Sequence, residues 1–118
     1  MGLKECYKEL GGSFEEVSKR LPKESMIMKF VLKFLNDKSF ENLTTAIENH
    51  DYSTAFMAAH TLKGVCQNLS FTRLYESSHL ITEALRGDEH DESLISELVK
   101  KVTEDYKVTA DAIKKLET

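Results

Sequence analysis

The segment from residue 51 to residue 69, DYSTAFMAAHTLKGVCQNL, contains the residues whose types and spacing are best suited to chemistry. On a helical wheel at about 100° per residue, its apolar residues form one stripe that must enter a core. The stripe consists of Ala55, Ala58, Leu62, Val65, Cys66 and Leu69. His60 lies nearly opposite the centre of that stripe, so we expect its imidazole to face solvent or a partner. A neutral imidazole in such a position is a nucleophile.

Two residues one turn beyond His60 suit it to accept a phosphoryl group. Lys63 places a cation within reach of an anion carried on the imidazole. Gly64 costs about 0.5–1 kcal/mol relative to alanine inside a helix and leaves a space without a side chain beside the ring. Phosphoryl transfer needs in-line access and charge neutralisation, and this pattern offers both. Judged by spacing alone, two alternatives stay open. His60 is then an ordinary surface histidine, and Gly64 is a glycine that allows close helix packing.

The sequence outside this segment also predicts helices only, and these helices must position the segment. The single proline is Pro22, and no stretch alternates apolar and polar residues as a half-buried strand does. Ser13, Ser39 and Asp51 are candidate N-caps, and Gly87 is expected to close the helix before the last one. In chain order, the predicted helices cover residues 3–10, 14–21, 23–36, about 40–47, 51–69 and 71–86, with a long last helix after residue 91.

Short connections between these helices imply antiparallel neighbours. We therefore expect an all-α fold, an antiparallel four-helix bundle over about residues 39–118. The short N-terminal helices, about residues 1–36, should pack on the bundle, so that 1–118 forms a single domain. The last helix has a bundle seam, with apolar positions spaced by three and four. These positions are Ile95, Leu98, Val102, Tyr106, Thr109, Ile113 and Leu116.

Composition narrows the classes of partner. Sixteen Lys and Arg against 20 Asp and Glu give a net charge of −4, so no basic surface for nucleic acid is predicted. Cys6 and Cys66 have neither disulfide nor metal spacing, and a reducing compartment fits them best. The apolar runs are too short to cross a membrane, and the N-terminus has no signal-peptide pattern. We expect a cytoplasmic monomer without nucleic-acid or membrane partners.

No metal, cofactor or nucleotide site is predicted within the chain. Glu76 and His79 have the Glu-x-x-His spacing of di-iron bundles, but such sites need a second copy of the motif, which the sequence lacks. A nucleotide-binding motif is also missing. We therefore do not expect the chain to be an enzyme by itself.

The residues around His60 carry a family resemblance. The run His60-Thr61-Leu62-Lys63-Gly64, preceded by Ala58-Ala59 and followed by Asn68-Leu69, resembles the H-x-L-K-G signature of histidine phosphotransfer (HPt) domains. The turn Asn49-His50-Asp51-Tyr52 is similar to the family's entry into the active helix, and Gly2-Leu3 through Leu10-Gly11-Gly12 is similar to its opening. The resemblance extends over nearly the whole chain.

The resemblance implies a role for each residue of the signature. His60 would be phosphorylated on its outer ring nitrogen, Lys63 would stabilise the phosphoryl charge, and Gly64 would make room for the partner. Gln67 is expected to border the same site because the helical wheel places it on the outer face beside His60. The partner would be a receiver domain of a response regulator or hybrid sensor kinase, which supplies the aspartate, the Mg²⁺ and most of the catalysis. The implied function is to relay a phosphoryl group between receiver-domain aspartates in a two-component phosphorelay.

Two positions depart from the family pattern. Ser70 stands where many members have glycine, so the turn after the active helix must be made differently. Many members also place Gln or Glu on the next helix to hydrogen-bond the inner nitrogen of the histidine. Here that position is Thr82, with Glu83 beside it and His79 one turn earlier, and Thr82 and His79 are the expected neighbours of His60 from that helix.

A second family likeness supplies an alternative function. Ser78-His79-Leu80 is similar to a segment in the phosphoacceptor domain of chemotaxis histidine kinases. The alternative is therefore a stand-alone phosphoacceptor domain that is charged by a separate ATP-dependent histidine kinase. A further rival is a structural adaptor that only binds proteins, for which His60→Gln would leave every activity intact.

Phe56 and Met57 are apolar residues on the outer face beside His60. One reading is that the N-terminal helices cover them, through residues such as Tyr7. The other is a shallow apolar docking surface ringed by polar groups. Since a covering helix can form the edge of such a surface, we expect Phe56, Met57 and Tyr7 to take part in partner docking.

Overall fold

The computed structural model describes residues 1–116, and that part of the chain is helical without strands. In chain order, the helices are α1 (Leu3–Leu10), α2 (Phe14–Arg20), α3 (Glu24–Phe34), α4 (Ser39–Glu48), α5 (Tyr52–Leu69), α6 (Thr72–Leu85) and α7 (Glu92–Lys114). The predicted all-α class is confirmed. None of the described helices is long and apolar enough to cross a membrane. The last two residues of the predicted domain, 117–118, lie outside the described residues.

Local capping residues set most helix ends where the sequence predicts them. The Asp51 carboxylate accepts a hydrogen bond from the Thr54 backbone N–H at 3.2 Å, which fixes the start of α5. Gly11 ends α1 in the left-handed conformation, with φ 78°. The predicted cap of α4 is wrong, because Ser39 is the first helical residue. Its backbone N–H donates instead to the Asp37 carboxylate at 2.9 Å, and its hydroxyl donates to the same oxygen.

Helix α5 lies at the centre of the packing, against α4 on one side and α6 on the other, and α7 packs against α6. The predicted seam of α7 faces this core: Ile95, Val102, Thr109, Ile113 and Leu116 are buried, and Leu98 and Tyr106 are half-buried. Helix α1 packs along α7, and α3 contacts α5. The N-terminal helices reach α5 toward its carboxyl end, where the Tyr7 hydroxyl donates to the Leu69 carbonyl.

The turn between α5 and α6 is made by a residue other than glycine. Ser70 adopts the left-handed conformation, with φ 57° and ψ 40°. Its side-chain hydroxyl lies 2.6 Å from the Arg20 guanidinium and accepts a hydrogen bond from it, and its carbonyl accepts from the Ser13 N–H at 2.9 Å. A Cβ at Gly12 would lie 2.6 Å from that carbonyl oxygen, so only glycine allows this close approach. Contacts from α2 and its cap thus stabilise the turn that the sequence leaves without its usual glycine.

Candidate phosphoryl-acceptor site on α5

His60 is exposed on the face of α5 that points away from the core. Ala55, Leu62 and Cys66 on the opposite face are fully buried, and Val65 is half-buried. The amphipathic pattern of α5 therefore turns the imidazole outward, as the helical wheel predicts. The side chain can be reached from solvent along this face of the bundle.

Open space lies beside His60 at Gly64. A Cβ built on Gly64 would meet no atom within 4 Å, leaving aside its two chain neighbours and the helix's own backbone. Lys63 is half-buried at the same level of the helix, and Gln67 is exposed one turn further on. By helical spacing, the exposed ring, the empty surface and the Lys63 cation lie on one side of α5.

An aromatic side chain borders His60 on the preceding turn. The rings of Phe56 and His60 are nearly parallel, with an interplanar angle of 20° and centroids 6.1 Å apart. Arg86, which follows the end of α6, places its guanidinium carbon 5.1 Å from the centroid of the Phe56 ring, a cation–π contact. Met57 is 61% exposed. Phe56 is therefore covered by the Arg86 guanidinium, and Met57 is open to a partner.

Glu83 adjoins Thr82 in the sequence, but sequence reasoning missed Arg86 and its pairing with Glu83. The Arg86 Nη2 and Nε atoms donate to one oxygen of the Glu83 carboxylate, at 2.8 Å and 3.3 Å. The hydrogen bond from Arg86 holds the pKa of Glu83 below its usual value, and the charges of Arg86, His79 and Lys63 act in the same direction. The i, i+3 spacing was visible in the sequence, but only the packing of α6 on α5 brings the pair to Phe56.

The two neighbours predicted from α6 differ in environment. Thr82 is fully buried, and its hydroxyl donates to the Ser78 carbonyl at 2.6 Å. His79 is half-buried, with its ring parallel to Tyr75 at a centroid distance of 6.1 Å. Its Nδ1 atom is buried and has no hydrogen-bond partner among the described residues. A contact of either residue with the His60 inner nitrogen remains a prediction.

The expected docking role of Tyr7 is wrong. Tyr7 is 1% exposed, and its ring contacts Phe14 and Phe71 at centroid distances of 5.8 Å and 5.6 Å. Its hydroxyl donates to the Leu69 carbonyl at 2.8 Å, and burial raises its pKa. Tyr7 is amphipathic enough to suit a surface patch, but α1 turns it into the core, where it ties α1 to the end of α5.

Among residues 1–116, the cysteines and acidic residues form no metal-binding cluster, and neither thiol is activated. Both cysteines are buried and unpaired, and burial raises the pKa of Cys6 to about 11. Burial also raises the pKa of Cys66. Neither thiol is poised to form a thiolate at neutral pH. Among residues 1–116, no group of three or more His, Cys, Asp or Glu side chains has a geometry that could hold a metal ion.

Comparison with known protein families identifies this arrangement. Residues 35–115, which include all of α4 to α7, match the family model described as the Hpt domain. The chain belongs to the Hpt domain family. Membership indicates histidine phosphotransfer in two-component signalling, which involves interaction with receiver domains. The match begins just after α3, so α1 to α3 lie outside the part that the Hpt model describes.

One curated relative is similar to part of the chain. A stretch of 65 residues is 31% identical to a glycerol-3-phosphate dehydrogenase (NAD(P)+) from Clostridium botulinum (strain Eklund 17B / Type B). The stretch covers 55% of this chain but spans only 19% of the length of the dehydrogenase. No solved structure matches the chain.

Proposed function

We propose that this Hpt domain carries a phosphoryl group on His60 and relays it between receiver-domain aspartates in a two-component phosphorelay. The observation that carries the proposal is the exposed imidazole with empty space at Gly64 beside it. An in-line attack needs the nucleophile, the phosphorus and the leaving oxygen in one line, so the face beside the ring must admit the partner's phosphoryl group. The family match to residues 35–115 supports the same reaction class.

The reaction exchanges one bond for another without a cofactor in this chain. The outer ring nitrogen of neutral His60 attacks the phosphorus of an aspartyl phosphate. The new N–P bond forms as the P–O bond to the aspartate breaks, and that electron pair returns to the carboxylate. The proton on the inner ring nitrogen stays in place, so the total charge is conserved. Lys63 faces the phosphoryl oxygens, and the receiver supplies the aspartate and its Mg²⁺.

The surface around His60 suits docking of a receiver. Phe56 and Met57 supply apolar area beside the ring, and Gln67 borders the phosphoryl site. Met57 also lines a polar groove between α4 and α5 together with Thr61. An apolar centre with a polar rim is the usual composition of a transient interface. On this proposal, the receiver covers His60 from the outer face of α5.

The wider proposal concerns the form in which the domain works. We infer a single domain whose helices α4 to α7 form an antiparallel four-helix bundle. Support comes from the two-residue connection between Leu69 and Thr72 and from the packing of α5 against both α4 and α6. The domain acts in the cytoplasm as a monomer and is a phosphocarrier, since catalysis is shared with the receiver. The dehydrogenase likeness adds no activity, because the matched stretch is a fifth of that enzyme.

The deciding experiment follows radiolabelled phosphate from a phosphorylated receiver to the wild type and to His60→Gln. His50→Gln is the matched control, because His50 is also exposed but lies in the turn before α5. We expect label on the wild type and on the control, and none on His60→Gln. Label on His60→Gln would refute the assignment of the site.

A second arm separates the relay from the alternative source of phosphate. The wild type is incubated with ATP and candidate histidine kinase domains in the absence of any receiver. Transfer from receivers alone supports the relay. Charging by a kinase domain alone supports the stand-alone phosphoacceptor domain. If the wild type accepts no label and His60→Gln still binds its partners as the wild type does, the result supports the structural adaptor.

A further inference from the structure

An ion pair at the end of α6 lies against the aromatic neighbour of His60. Arg86 is held by Glu83 at 2.8 Å and at the same time covers the Phe56 ring at 5.1 Å. Phe56 in turn lies parallel to the His60 ring. The Arg86 and Glu83 side chains are 55% and 46% exposed, so neither is locked in place by packing. Both side chains are therefore free to change rotamer, and Arg86 adjoins the same ring that His60 lies against.

The Glu83 carboxylate lies within the electrostatic reach of three cationic or ionisable side chains of this surface. The charges of Arg86, His79 and Lys63 all act on it. Lys63 is the residue assigned to neutralise the phosphoryl group, and Arg86 adjoins the same ring system. Glu83 therefore lies where it can compete with a phosphoryl group on His60 for Arg86.

We propose, resting on the proposed function, that Arg86 is a second phosphoryl-binding cation of this site and that Glu83 is its resident counter-ion. In the unphosphorylated protein, Arg86 donates to Glu83. When His60 acquires a phosphoryl group, the guanidinium exchanges the carboxylate for phosphoryl oxygens. Arg suits this exchange because its planar fork can donate two parallel hydrogen bonds to either a carboxylate or a phosphoryl group. The pair sets how far the equilibrium between aspartyl phosphate and phosphohistidine favours His60.

The first test measures the final partition of label between a receiver and the carrier. We expect Arg86→Gln to lower the share on His60 by about threefold and Glu83→Gln to raise it by about threefold, as suits a charge contact at an exposed site. In the Arg86→Gln background, most of the Glu83→Gln effect should vanish, because the two residues act through one contact. Both single effects should shrink as salt rises, which a purely structural role would not produce.

Matched controls come from an exposed ion pair on α7. Lys107 and Asp111 form a contact of 2.8 Å with side chains 75% and 50% exposed. Lys107→Gln and Asp111→Asn make the same charge changes away from α5, and we expect neither to shift the partition. The inference is overturned if the Arg86 and Glu83 variants shift it no more than these controls, or if both shift it in the same direction.

The second test needs no receiver. Phosphoramidate can phosphorylate His60 chemically, because its P–N bond breaks as the new N–P bond forms and ammonia leaves. In ¹⁵N-labelled protein, the Arg86 Nε–H signal should move on charging, and it should stay fixed in His60→Gln. If His60 is phosphorylated and this signal does not move, the inference fails while the proposed function stands. Failure of His60 to accept a phosphoryl group from either donor defeats the proposed function and the inference with it.

Discussion

Replacing Gly64 by alanine should make the protein more stable and a poorer phosphoryl acceptor. A Cβ at this position meets no atom within 4 Å, so the new methyl group causes no clash inside the domain. Alanine in a helix interior is favoured over glycine by about 0.5–1 kcal/mol. For a domain of this size, we expect the melting temperature to rise by about 2–5 °C.

Transfer should change in the opposite direction. The methyl group occupies the space through which the receiver's phosphoryl group approaches His60. Carbon atoms pack no closer than about 3.5–4.0 Å, so the reacting atoms are pushed out of line. A displacement of about 1 Å can cost up to 100-fold in rate, and we expect a loss of at least about tenfold, equivalent to about 1.4 kcal/mol in the barrier.

The assay combines thermal unfolding followed by circular dichroism with rapid-quench transfer from a phosphorylated receiver. Thr103→Ala is the control, because Thr103 is exposed in the middle of α7 and alanine there also gains helix propensity. That variant should be stabilised without any change in transfer. Wild-type transfer by Gly64→Ala would show that the empty space beside His60 is not used, and the steric reasoning would fail.

Three further substitutions test the supporting structure. Tyr7→Phe leaves the buried Leu69 carbonyl without its donor, so it should lower the free energy of unfolding by about 1–3 kcal/mol, measured by urea denaturation. Phosphoryl transfer should be unchanged. Slowed transfer with unaltered stability would restore a surface role for Tyr7. Thr82→Val should leave the transfer rate within twofold, since the hydroxyl donates to the Ser78 carbonyl; a large loss would show that it orients His60. Gly12→Ala should destabilise by about 1–3 kcal/mol, because its Cβ would lie 2.6 Å from a backbone carbonyl oxygen, and native stability would contradict that contact.

Local sequence determines much of this molecule. The outward position of His60 follows from the spacing of apolar residues along α5, since a helix fixes which side chains share a face. The starts of α2 and α5 follow from Ser13 and Asp51, whose side chains bond to backbone groups three residues later. Such features involve neighbours within about one turn, so they can be predicted without knowing the tertiary fold.

The tertiary structure alone decided which distant residues meet. The Tyr7 hydroxyl bonds to a carbonyl 62 positions away, and Arg20 reaches Ser70 across 50 positions, so neither the burial of Tyr7 nor the stabilisation of the turn could be inferred from spacing. Arg86 lies over Phe56 because α6 packs along α5 in one register. Helical periodicity gives the direction of a side chain but not its neighbour on another helix, which depends on how the whole core packs.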